Sequence, residues 1–261
     1  MNDIVVEDLS FAYEGTDRLI LNGINMKINR GDFVCLLGQS GCGKSTFLRL
    51  LAGLEKATTG SIKMDGQEIT GADLDRSVVF QDYGLFPWMT AGDNILLALR
   101  QRYPKRKKSE LQKIALDVLQ DVGLKPDVYK KYPKELSGGM QQRCAIARSF
   151  SIDPSVMLMD EPFGALDAVT RAKLQDMLLN LWSHEDQHKT VFFVTHDVEE
   201  ALLLATRIFV FGQSPSKIIF EHSVKPEERP TRANLYTSEP VAKLREALIA
   251  NINQDVMSHI E

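Results

Sequence analysis

One junction constrains this chain more than any other feature. Asp32–Leu37 reads as a short apolar strand, and it stops at Gly38. The nine residues that follow from there are Gly38-Gln39-Ser40-Gly41-Cys42-Gly43-Lys44-Ser45-Thr46. They match the pattern of a phosphate-binding loop. A helix is expected from Lys44 to about Leu54. Strand, glycine loop and helix form the first half of a βαβ unit, so the strand belongs inside a parallel sheet. The residue types fit anion chemistry. Glycines let backbone N–H groups wrap close to phosphates, and the helix start adds the positive end of its dipole. Lys44 can reach the β and γ phosphates, and Ser45 can ligate Mg²⁺. The bland alternative, a glycine turn before a helix, does not require the Gly-Lys-Ser sequence at that spacing.

Strands alternate with helices along most of the chain, which predicts a mainly parallel sheet covered on both faces. Expected strands are Ile4–Tyr13, Ile24–Asn29, Arg76–Phe80, Val156–Met159, Thr190–Val194 and Ile208–Phe211, with Lys217–Ser223 as an edge. Ser61–Met64 and Gln67–Ile69 flank Asp65-Gly66, a pair suited to a type I′ hairpin turn. Helices are expected over Ser137–Ile152, from Asp167 as cap to about Trp182, over Val198–Ala205 and over Pro240–Ile252. The stretch 82–135 is helical, with a polar break at Arg100–Lys108, and it interrupts the alternation. It reads as an inserted helical subdomain, about 82–152. The segment 226–261 reads as a linker and terminal helix following a domain over 1–225.

Bulk properties exclude several classes. The 261 residues carry a formal net charge of -4, which argues against a broad nucleic-acid surface. Cys35, Cys42 and Cys144 lack metal-ligand spacing and suit a reducing compartment. The N-terminus lacks a signal-peptide pattern. No apolar run approaches the roughly 20 residues of a membrane helix; Ala201–Gly212 is short and broken by Arg207.

A second carboxylate-bearing strand complements the loop. Val156-Met157-Leu158-Met159-Asp160-Glu161 ends an apolar strand in two acids, where a metal–phosphate complex would sit. Asp160 is a candidate Mg²⁺ ligand. Glu161 is a candidate base for water. Such a strand end alone is commonly just solvated; the glycine loop upstream favours the catalytic reading.

Leu136-Ser137-Gly138-Gly139-Met140-Gln141-Gln142-Arg143 resembles the signature motif of ABC ATPases, and the resemblance covers roughly residues 3–225. It implies an α/β fold: a P-loop NTPase core, an N-terminal antiparallel β-subdomain and an inserted α-helical subdomain. Tyr13 stands where the family stacks an aromatic ring on adenine. Gln81 stands at the Q-loop, which contacts the Mg²⁺ or the water. Ala165-Leu166-Asp167 matches the D-loop core, with Gly164 where many members have Ser. His196 stands at the switch histidine. Ser137, Gly138, Gly139 and Gln141 would form a second nucleotide contact across a head-to-tail homodimer. ATP and Mg²⁺ are the implied ligands, with Glu161, His196 and Gln81 in the catalytic set and Ser45, Gln81 and Asp160 around the metal.

The same resemblance implies a second ATP-binding subunit, a separate transmembrane permease subunit, a solute-binding protein, no nucleic acid, and a peripheral position on the cytoplasmic face of the cell membrane. Phe86 and Trp88 are either core residues or anchors for the permease. The basic run Arg100–Lys108 is either a solvated loop or a contact for anionic lipid. Phe86-Pro87-Trp88-Met89-Thr90, Tyr132-Pro133-Lys134-Glu135 and Thr195-His196-Asp197 with Glu199-Glu200-Ala201 look like bacterial importers. Among these, the branch for nitrate, sulfonate, taurine or bicarbonate, and for vitamin precursors, is most similar. An exporter ATPase and a non-transport ABC ATPase are the alternatives. The tail after Lys225 is too short for the regulatory domain of sugar-importer subunits.

Overall fold

The structure, a computed structural model, describes residues 4–164, 166–183, 189–225 and 228–259. Ala165 of the D-loop and Pro226 and Glu227 of the linker lie outside the described residues. In chain order the elements are β1 (Ile4–Ala12), β2 (Leu19–Ile28), β3 (Phe33–Leu37), α1 (Lys44–Ala52), β4 (Thr59–Met64), β5 (Gln67–Glu68) and β6 (Arg76–Val79). There follow α2 (Ala91–Arg102), α3 (Lys108–Asp121), α4 (Gly138–Ser151), β7 (Val156–Asp160) and α5 (Ala168–Ser183). The chain closes with β8 (Thr190–Thr195), α6 (Val198–Leu204), β9 (Arg207–Phe211), β10 (Ile218–Ser223) and α7 (Glu239–Ser258). Two compact units result, one from residues 1–73 with 189–261 and one from 74–188.

The first unit holds two sheets. One is antiparallel, in the order β2-β1-β4-β5. Its hairpin turn has both Asp65 and Gly66 at positive φ, 55° and 76°, as a type I′ turn requires. The other runs β10-β9-β3-β8, with β3 parallel to both neighbours and β10 an antiparallel edge. Every residue of β3 and β8 is buried, which is why both read as continuous apolar runs. Each large apolar side chain buried there contributes about 1.5–3 kcal/mol.

The second unit holds the parallel pair β6–β7 and the helices α2 to α5. Thr90 caps α2, accepting from the Asp93 N–H at 3.1 Å. Asp167 caps α5, accepting from Val169 and Thr170. Hydrogen bonding from Thr170 holds the Asp167 carboxyl below its usual range. At the end of the stretch 82–135, expected to be helical, the chain forms two short 3-10 turns, Pro126–Lys130 and Pro133–Glu135. Gly92 lets α2 approach the first of them: a Cβ there would stand 2.5 Å from the Tyr129 ring.

Two boundaries differ from expectation by five residues or more. β2 starts at Leu19, five residues before the expected Ile24, because Asn22-Gly23 bulges the strand instead of turning the chain. Leu21 and Ile24 are both fully buried although three residues apart, which strict alternation forbids. Gly23 at φ 65° and the shifts in β1 register provide the extra residue. α7 runs to Ser258, past the expected Ile252; its last turns are tied down where Asp255 accepts the Gln213 N–H at 2.7 Å. Among the described residues no helix is long and apolar enough to cross a membrane.

Candidate functional site

In the first unit the glycine loop leaves β3 at Gly38. Leu37 pairs with Thr195 in the parallel ladder, so Gly38 and His196 leave adjacent strands at the same level. His196 is exposed there. Gly38 cannot be replaced: a Cβ would lie 2.6 Å from the Phe211 carbonyl oxygen. Gly43, at φ 102°, opens α1 without a side-chain cap, leaving the helix start open to an anion. Lys44 is 4% exposed. Its Nζ donates to the carbonyl oxygens of Gly38 at 2.7 Å and Gln39 at 2.8 Å, which holds the ammonium across the loop. Burial pushes the Cys42 thiol up, against the opposing pull of Lys44. Gln39, Ser40 and Gly41 are exposed, and Ser45 is half-buried. Tyr13 meets Thr46 through their hydroxyls at 3.1 Å, and its ring packs edge-on against Phe11.

In the second unit Val79 pairs with Met159, which brings Gln81 and Glu161 out of neighbouring strands together. Asp160 ends β7. Glu161 has φ 42°, a left-handed backbone that a non-glycine residue adopts only under constraint. Taken singly, the Ser45 hydroxyl, the Gln81 carboxamide and the Asp160 carboxylate each offer a hard oxygen donor, the kind that Mg²⁺ takes.

The signature segment opens α4. Ser137 is its N-cap, accepting from the Met140 N–H at 3.4 Å. The two glycines have packing reasons of their own. A Cβ on Gly138 would stand 3.2 Å from the Tyr83 hydroxyl, and one on Gly139 would stand 2.7 Å from Thr170. Gln141 turns its amide back onto the Leu136 carbonyl at 3.1 Å.

The loop after Gln81 depends on two residues that sequence reasoning missed. Asn94 is fully buried on α2. It accepts the Phe86 N–H at 2.8 Å and donates to the carbonyls of Phe86, Met89 and Thr90. Arg148 on α4 donates to Gly84 and Tyr83 carbonyls. Their signal was a polar residue on the buried face of each helix. The Phe86 and Trp88 rings pack at a 46° tilt, centroids 5.5 Å apart, on the loop so held, and Trp88 is 71% exposed. They are surface residues, which removes the core reading.

A phosphate loop on a parallel strand, a paired acid strand and a capped signature helix define a P-loop nucleotide-binding protein. The family model of the ABC transporter matches residues 21–164. The nitrate import ATP-binding protein of Synechococcus elongatus is 44% identical over 226 residues, 86% of this chain and 81% of that protein. The aliphatic sulfonates import ATP-binding protein of Bacillus cereus is 43% identical, over 88% of this chain and 87% of its own length. A solved dimeric bacterial ABC transporter cassette superposes with a TM-score of 0.76 at 33% identity, covering 85% of this chain and 99% of the cassette. The chain belongs to the ABC transporter family. It is an ATPase coupled to transmembrane transport.

Proposed function

We propose that this chain hydrolyses ATP to drive import of a small solute, of the nitrate, sulfonate, taurine or bicarbonate kind or a vitamin precursor, through a separate permease subunit. Its similarity to nitrate, bicarbonate and sulfonate import proteins along most of the chain carries the reading. A solute-binding protein delivers the solute, and the chain sits peripherally on the cytoplasmic face of the membrane.

Each motif residue then has a role. Tyr13 stacks on the adenine. The loop Gly38–Thr46 cradles the phosphates through its backbone N–H groups, with Lys44 on the β and γ phosphates. Ser45, Asp160 and Gln81 are the residues that would hold Mg²⁺, which would supply positive charge against the phosphates. Glu161 accepts the proton of the attacking water, and His196 holds the γ-phosphate. Ser137, Gly138, Gly139 and Gln141 of a second, identical subunit close on the same nucleotide. Loss of the γ-phosphate removes the contact both subunits share, so the dimer opens.

The Glu161→Gln variant tests this directly. Its phosphate release should fall by about 10²–10⁴-fold, while ATP drives a dimer on gel filtration. Turnover near the wild-type rate would remove Glu161 from the role of base. Reconstitution with the permease in proteoliposomes, with each anion supplied in turn, identifies the solute.

A further inference from the structure

The terminal helix α7 is tied to the element that follows His196. Arg245 on α7 grips Glu199 with two prongs: Nε donates to Oε1 at 2.7 Å and Nη2 to Oε2 at 3.1 Å. Nη2 also donates to the Leu235 carbonyl at 2.9 Å, and the guanidinium lies 5.2 Å from the Tyr236 ring centroid. The side chains are 19% and 34% exposed, so water competes only in part. An arginine fork fixes a carboxylate in direction as well as distance.

Glu199 lies in the first turn of α6, and that turn is bonded to both neighbours of His196. The Asp197 carboxylate accepts the N–H groups of Glu199 at 2.8 Å and Glu200 at 3.4 Å. The Asp197 N–H donates to the Thr195 hydroxyl at 3.0 Å, and that hydroxyl donates to the Glu200 carboxylate at 2.6 Å. His196 thus sits between two residues whose polar groups close on the start of α6. With only seven residues, α6 is too short to hold its own direction and depends on tertiary contacts.

We propose that Arg245 is a positioning residue: its fork on Glu199 fixes the first turn of α6 and, through it, the backbone that presents His196. The proposal rests on His196 contacting the γ-phosphate. The nucleotide cradle itself is left untouched, so the rate of hydrolysis depends on Arg245 and the affinity for ATP does not. Truncation of the tail then slows the motor without emptying its nucleotide site.

Full-length Arg245→Ala, Arg245→Lys and the exchange Glu199→Arg with Arg245→Glu are compared with wild type. The readouts are kcat, KM for ATP, melting temperature and the ring NMR signal of His196. His196→Gln assigns that signal among the five histidines. Arg245→Ala should lower kcat roughly tenfold with KM within about twofold, since misplacing a reacting group costs rate first. Its His196 signal should shift or broaden. Lysine keeps the charge without the fork and should fall between the two, and the exchange should recover most of the rate.

A wild-type kcat in Arg245→Ala, or a His196 signal unchanged in every folded variant, overturns the proposal. So does a loss of melting temperature with full kcat retained well below the melt, which marks Arg245 as structural only. A wild-type chain that fails to hydrolyse ATP beside its permease defeats the ATPase reading instead, and the His196 signal still decides the clamp.

Discussion

Leu37 stands opposite Thr195 in the parallel pairing of β3 with β8. That register delivers the glycine loop and His196 to one end of the sheet. A shift by one residue would turn the side chains of either strand to the opposite face. With both strands buried throughout, such a shift also breaks the packing on each side of the sheet.

Lys44 is held by two loop carbonyls, so its removal leaves the loop without its internal cation. Lys44→Ala should fold, and its affinity for a fluorescent ATP analogue should fall by about 1.5–3 kcal/mol, the worth of a hydrogen bond to a charged group. A titration matching wild type would mean that the ammonium never turns to the nucleotide.

Asn94 carries the backbone of the loop that presents Trp88. Asn94→Leu leaves the Phe86 N–H without its acceptor and three carbonyls without that donor. Urea unfolding should show a loss of about 1–3 kcal/mol, the cost of leaving the Phe86 N–H unsatisfied, since Phe86 and Thr90 carbonyls keep backbone donors. Trp88 emission should change while the buried Trp182 contributes a constant background. Equal stability would show that water replaces the amide without cost.

Gln142 is fully buried, and among the described residues neither polar atom of its amide has a hydrogen-bond partner. Methionine has nearly its shape without the polar atoms. Gln142→Met should therefore raise stability by about 1 kcal/mol, read as a higher urea midpoint at unchanged slope. A fall in the midpoint would reveal a partner for the amide.

Cys144 titrates far from its ordinary value. Burial pushes its thiol from 9.0 up to about 12, with Arg148 pulling slightly the other way. The unfolded chain loses that proton first, so it binds fewer protons than the native state between these values. Stability is full below pH 9.0 and is lost as pH climbs toward about 12. Cys144→Ala should flatten the alkaline fall in the urea midpoint. An unchanged slope would assign the fall to other groups.

The order of strands and helices was legible because burial leaves period and length in the sequence. β3 and β8 are continuous apolar runs because both faces are covered. β2 was legible only from Ile24, since a bulge and a turn use the same Asn-Gly pair. Phe86 and Trp88 were ambiguous, because an aromatic residue serves a core or a surface equally well.

The sequence by itself determined the phosphate loop, the hairpin turn at Asp65-Gly66 and the cap at Asp167. Each is a contiguous segment whose chemistry acts over a few residues. Only the tertiary structure decided that Leu37 faces Thr195, that Asn94 and Arg148 hold the loop after Gln81, and that Arg245 reaches Glu199. These contacts join segments distant in sequence, and a polar side chain gives no local sign of which remote partner will satisfy it.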